Sequence, residues 1–206
     1  EYAIPEKVQY QSSSDSEIKE DSNISPSPDE EYYKKARVLQ SQYPNTFIME
    51  YGTAKKRIAL TFDDGPDEKT TPKILDILNH YDIPATFFVI GENANSLPAV
   101  AKRMIDEGHQ VANHSWSHLR PTELTFQEFM SEISAAEKIL QHYSSTSQSF
   151  YYRPPYGLLI PTQIEGISRD GYKVISWSID SLDWIVSEPD KIEDKVITSA
   201  HPGAIV

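Results

Sequence analysis

Short apolar runs alternate with amphipathic helical patterns along most of this 206-residue chain, and that alternation restricts its fold more than any other feature. Residues 57–62, 86–90, 110–112, 150–152 and 172–179 read as strands, and residues 204–206 begin another. Between them lie helical patterns: one opened by Thr71-Pro72 and carrying Ile74, Leu75, Ile77 and Leu78, and one opened by Pro98 and stopped at Gly108. Thr125-Phe-Gln-Glu128 reads as a capping box. It starts a helix with Phe126, Phe129, Met130, Ile133, Ala136 and Leu140 at close to a 3.6-residue period. Residues 164–170 and 191–199 complete the series. Strand, helix, strand in this order implies parallel strands joined by right-handed crossovers, hence an α/β fold.

The residues before this region are different in kind. Residues 1–27 mix Ser, Asp, Glu and Lys with few apolar side chains and read as a flexible acidic arm. Residues 1–31 hold nine acids against Lys7 and Lys19, so −7 of the net charge of −12 belongs to this stretch. That charge argues against a nucleic-acid partner and says little about a substrate. Ser27-Pro28-Asp29-Glu30 predicts a short helix, with Ser27 as its cap, ended before Pro44. The expected division is an arm plus short helix over 1–50 and a catalytic domain over 51–206. No apolar run approaches the ~18–20 residues that span a bilayer. The absence of cysteine excludes thiolate metal sites and disulfides.

Each cluster of chemically capable residues follows a predicted strand: Asp63-Asp64, then Asn113-His114-Ser-Trp-Ser-His118, then Arg153-Pro-Pro155-Tyr156-Gly157, then Asp180-Ser-Leu-Asp183-Trp184. In a parallel α/β barrel such positions share one face, where active sites are built. Two adjacent carboxylates are costly to place together unless something positive sits beside them. Two histidines four apart plus one carboxylate make a metal site with open positions. Arg153 sits on backbone stiffened by the prolines that follow it. Taken singly, each cluster also has an ordinary structural reading, as a turn, a solvated histidine pair, a surface arginine or core tryptophans. No GxGxxG or GxxxxGK[ST] stands at a strand–helix junction, so nothing supports dinucleotide or P-loop chemistry.

Thr61-Phe-Asp-Asp-Gly-Pro66, His114-Ser-Trp-Ser-His118, Arg153-Pro-Pro-Tyr-Gly157 and Asp180-Ser-Leu-Asp-Trp184, in this order, resemble the first four motifs of the polysaccharide deacetylase family, carbohydrate esterase family 4 with its NodB-homology domain. The resemblance covers about residues 57–206. It implies a distorted (β/α) barrel and metal-dependent removal of acetyl groups from a polysaccharide outside the cell or at its envelope. N-acetylglucosamine residues of peptidoglycan come first and chitin-type chains second, with an O-acetyl xylan esterase as the alternative. It further implies Asp64, His114 and His118 as ligands of one divalent metal, Zn2+ ahead of Co2+, Mn2+ or Ni2+. Asp63 would be the base, oriented by Arg153. The Tyr156 backbone N–H would help hold an oxyanion, with Pro155 and Trp184 beside the substrate. Asp183 and Trp184 match the motif that supports a histidine from a late strand. That Leu-x-His motif would follow Val206, so the expectation is a barrel left open at one edge and completed by a C-terminal fragment. His201 lies before the last strand, on the wrong face to serve.

Two other readings compete. A non-catalytic carbohydrate-binding protein on the same barrel would have lost a ligand or the base, and all four residues are present. A two-histidine, one-carboxylate Fe(II) oxygenase would need an all-β run that the sequence does not contain.

Overall fold

The computed structural model describes residues 28–52, 55–143 and 150–206. In chain order the elements are α1 (Pro28–Gln42), β1 (Phe47–Ile48), β2 (Thr61–Phe62), α2 (Thr70–His80), β3 (Thr86–Val89), α3 (Gly91–Ser96), α4 (Pro98–Asp106), β4 (Gln110–Asn113), α5 (Phe126–Tyr143), β5 (Tyr151–Tyr152), α6 (Pro161–Arg169), β6 (Lys173–Ile175) and α7 (Pro189–Ser199). All strand pairs are parallel, in the order β1-β6-β5-β4-β3-β2. The α/β fold with parallel strands expected from the alternating pattern is the one observed, and it agrees with the barrel type that the family resemblance implies. The predicted arm over 1–27 and the cap at Ser27 lie outside the described residues.

Two helical starts illustrate how sequence sets the boundaries. At α5 the capping box forms as predicted: Thr125 N–H donates to Glu128 Oε2 at 2.8 Å, and Glu128 N–H donates back to Thr125 Oγ1 at 3.3 Å. At α2 the cap is not Thr71. Asp67 accepts from the backbone N–H groups of Lys69, Thr70 and Thr71 at 2.7, 2.6 and 2.9 Å. A carboxylate satisfies several orphan donors at once, which a threonine hydroxyl cannot do. These bonds, that of Thr70 foremost, hold the Asp67 carboxyl well below the usual carboxylate range. Asp67→Ala should therefore cost about 1 kcal/mol in urea unfolding near neutral pH. A carboxyl with a lowered folded pKa stabilises above its unfolded value, about 3.9, and loses that contribution as pH falls toward the folded value. The gap between wild type and variant should be flat near pH 7 and close below about pH 4; a constant gap down to pH 2 would contradict the assignment.

The helices pack their apolar stripes on the sheet in two clusters. One joins Ala36 and Leu39 of α1, Phe129 and Ile133 of α5, and Ile164 and Ile167 of α6 to Phe47, Tyr152 and Val174 of the sheet. The other joins Leu75 and Leu78 of α2, Ala101 and Met104 of α4, and Leu140 of α5 to Phe87, Val89 and Val111. Residues 28–50 thus share a core and a sheet with the rest of the described chain.

The edge expected to stand open is occupied. Residues 203–206 run between the two edge strands: Tyr51 N–H donates to Gly203 O at 2.8 Å, Ala59 N–H to Ala204 O at 2.8 Å, and Val206 N–H to Ala59 O at 3.0 Å. Ser178 and Ile179 N–H both reach Ile205 O, at 3.0 and 3.1 Å. Backbone groups on both sides are paired without a further fragment, so the expectation of a second piece completing the barrel has no support here.

Candidate metal centre and catalytic site

Parallel strands place their C-terminal ends together, and this brings the predicted clusters to one mouth. Asp63 and Asp64 follow β2, His114 follows β4, and Arg153 follows β5. Asp64 Oδ1 lies 3.3 Å from His114 Nε2 and 3.1 Å from His118 Nε2. The three donor atoms lie within 4.8 Å of one another. The two imidazoles, His114 first, hold the Asp64 carboxyl well below its usual range, so it is ionised and acceptor-only. His114 is 2% exposed, and its Nδ1 lies 2.7 Å from the Arg153 carbonyl oxygen. A carbonyl only accepts, so Nδ1 carries a proton, which leaves Nε2 as the ring nitrogen that would bind a metal. Two imidazole nitrogens and one carboxylate oxygen fit a borderline divalent cation.

The backbone is bent to achieve this. Asp64, Ser115, His118 and Tyr156 have φ of 69, 68, 60 and 62°, in a region that costs non-glycine residues free energy. Three of the four bends have a side-chain support. Asn93 Nδ2 donates to Asp64 O at 2.8 Å, Asn113 Oδ1 accepts Ser115 N–H at 2.9 Å, and His118 N–H donates to Ser115 Oγ at 3.0 Å. Ser117 N–H and Oγ both bond Glu132 of α5. Asn93 and Glu132 were not singled out from the sequence, and Asn113 was named with the histidine cluster but given no role. Nothing local marks Asn93 or Glu132.

Asp63 is held from the other side. Arg153, 3% exposed, donates from Nη1 to Asp63 Oδ1 at 2.8 Å and to Thr61 Oγ1 at 2.6 Å. Its Nε and Nη2 reach the Ile175 and Ser176 carbonyls, both at 3.0 Å. Its Cζ lies 4.1 Å from the Phe88 ring centre. A guanidinium bound at every nitrogen cannot swing, so it fixes the direction of Asp63. Tyr156 stands at the rim, its ring 5.0 Å from the His118 ring and covered by the Arg120 guanidinium at 3.8 Å; Pro155 beside it is buried.

Asp183 and Trp184 follow a strand that is shorter than predicted. β6 ends at Ile175, four residues earlier than predicted, and Asp180 Oδ1 then accepts Leu182 N–H at 2.9 Å, with Leu182 at φ 62°. Asp183 bonds Ser181, Trp184 is 67% exposed, and neither has a hydrogen bond or ion pair to the other candidate residues among the described ones. His201 pairs with Glu50 at 3.0 Å, apart from the triad.

The polysaccharide deacetylase family model matches residues 50–175. A peptidoglycan-N-acetylglucosamine deacetylase of Bacillus cereus is 35% identical over 182 residues, 85% of this chain and 66% of that protein, so the chain spans just under two thirds of that relative's length. A solved structure of a peptidoglycan N-acetylglucosamine deacetylase superposes with a TM-score of 0.74 at 35% identity, covering 77% of this chain and 73% of that one. A carbohydrate esterase family 4 pseudoenzyme from Bacillus anthracis superposes with a TM-score of 0.72 at 28% identity, covering 77% and 56%.

Proposed function

The chain belongs to the polysaccharide deacetylase family, and from that premise we propose that it is a metal-dependent hydrolase removing N-acetyl groups from N-acetylglucosamine residues of a cell-wall polysaccharide, peptidoglycan ahead of chitin-type chains. The observation that carries this reading is the pairing of two differently held carboxylates: Asp64 against two imidazole nitrogens and Asp63 against a buried arginine.

In this proposal Asp64, His114 and His118 hold one divalent cation, Zn2+ first. When bound, such an ion supplies Lewis acidity, which makes water a usable nucleophile by bringing its pKa toward about 7. The chain's own groups do the rest. Asp63 takes the proton of the attacking water and returns it to the amine nitrogen as the C–N bond breaks, giving acetate and the free amine, and Arg153 keeps its carboxylate aimed while leaving Oδ2 with no partner among the described residues. The Arg153 carbonyl fixes the His114 tautomer. The Tyr156 backbone N–H donates to the developing oxyanion. Residues 51–206 are the catalytic domain, with α1 and β1 packed into its core. The site of action is the cell envelope, as the name of the Bacillus cereus relative suggests. No helix among the described residues is long and apolar enough to cross a membrane.

Acetate release from peptidoglycan, N-acetylglucosamine oligomers and acetylxylan, each with and without chelator, tests the proposal. The expected result is release from the first two, lost with chelator and restored by Zn2+. Faster release from acetylxylan would make the chain an esterase. No release from any substrate by metal-loaded protein would place it with the pseudoenzyme.

A further inference from the structure

The N-terminal helix reaches the back of this site through one side chain. Tyr32 of α1 stacks on Trp177, with ring centres 4.7 Å apart and planes 12° apart, and its hydroxyl shares a hydrogen bond with Ser176 Oγ. Ser176 is the residue whose carbonyl receives Arg153 Nη2, and Trp177 lies 5.5 Å from the Arg153 guanidinium carbon. On its other side the pair meets the turn that carries Tyr156. A Cβ added at Gly157 would sit 2.7 Å from Trp177 Cη2 and 2.7 Å from Tyr32 Cε2. Gly157 has φ of 85°, and its N–H closes the turn on Pro154 O at 2.9 Å.

Trp177 has no polar anchor of its own. Its Nε1 is buried without a hydrogen-bond partner among the described residues. A buried indole usually donates its N–H, so this ring is kept in place by packing alone. Remove the stacked phenol and the indole gains both room to rotate and a reason to, since rotation would let Nε1 reach water. The Gly157 turn and the Ser176 carbonyl would then lose the surface that sets them. Burial pushes the Tyr32 hydroxyl far above its ordinary pKa, so it stays a neutral hydrogen-bonding group across the working pH range.

We propose that Tyr32 is a positioning residue for deacetylation. By clamping Trp177 and Ser176 it sets both the arginine that aims Asp63 and the Tyr156 turn, so the N-terminal helix is part of the working site and not an appendage. The inference rests on the deacetylase reading above.

The test uses the whole metal-loaded chain. Tyr32→Ala should lower kcat by about tenfold to a hundredfold with KM and bound metal within about twofold of wild type, since small misplacements of aligning groups act on the chemical step. Tyr32→Phe, which keeps the stack and loses only the hydroxyl, should stay within about threefold of wild type. Leu140→Ala, in the core cluster on the far side of the sheet order, supplies a comparable loss of stability and should leave kcat of the folded protein unchanged. A Tyr32→Ala kcat equal to that of wild type or of Leu140→Ala would overturn the proposal. A second arm needs no turnover. In a Trp116→Phe/Trp184→Phe background, Tyr32→Ala should shift Trp177 emission to the red and open it to acrylamide quenching. Unchanged emission would overturn the proposal even if the deacetylase reading had failed on its own test.

Discussion

Replacing Asp64 should abolish metal binding and acetate release together. Asp64 is the single carboxylate among the three donors, and its charge is what two imidazoles cannot replace. Loss of one ligand of three should lower occupancy at micromolar metal to near background, and turnover by about 1,000-fold or more, on the order of 4 kcal/mol. The choice of substitution matters because Asp64 has φ of 69°. Alanine is strained there, whereas asparagine tolerates the left-handed region well. Asp64→Asn therefore isolates the charge, and Asp64→Ala adds a folding penalty of about 1 kcal/mol. Both variants should lack metal by elemental analysis, with Asp64→Asn melting close to the metal-free wild type. Metal retained at full stoichiometry in Asp64→Asn, with activity intact, would remove Asp64 from the ligand set.

Asp64 and its partners were legible because each adjoins a strand end, and a parallel fold turns that local fact into spatial proximity. The contacts that were not legible span long sequence separations. Thr61 and Arg153 meet over 92 positions and Tyr32 and Ser176 over 144, with no periodicity to announce either contact. Strand lengths failed for a related reason. Residues 57–60 are as strand-like as Thr61–Phe62, but Ala59 finds its partners in Ala204 and Ile205 near the chain's other end, so the run forms a bridge and not a longer strand. Residues 172–179 were read as one strand because apolar residues continue past Ile175. The ladder to β5 and β1 stops there, and residues 178–179 turn to Ile205 instead. That shift leaves Asp183 in a local turn, bonded to Ser181 and with no hydrogen bond or ion pair to the metal cluster among the described residues. The barrel type and the metal cluster were thus readable, while the shell that orients them depended on which strands meet.

The second large effect separates base from ligand. Asp63→Asn should leave metal bound and lower kcat by about 100-fold to 10,000-fold, the range over which a positioned base contributes. Asparagine has the shape of aspartate and keeps an oxygen for Arg153 Nη1, now 2.8 Å from Asp63 Oδ1. It cannot take a proton from water. Its other cost falls on Arg153, which is 3% exposed and would lose its only counter-ion among the described residues. Removing one partner of a fully buried pair costs about 3–5 kcal/mol, but Asp63 is 30% exposed and Arg153 keeps three other acceptors, so a loss of about 1–2 kcal/mol is expected here. The pattern to look for is full metal content, a modestly lowered melting temperature and near-absent acetate release. If Asp63→Asn lost its metal as completely as Asp64→Asn, the two carboxylates would be working as one ligand pair and the division of labour would fail. If it kept both metal and turnover, the proton would be leaving by another route, and the arginine that aims Asp63 would be serving the fold alone.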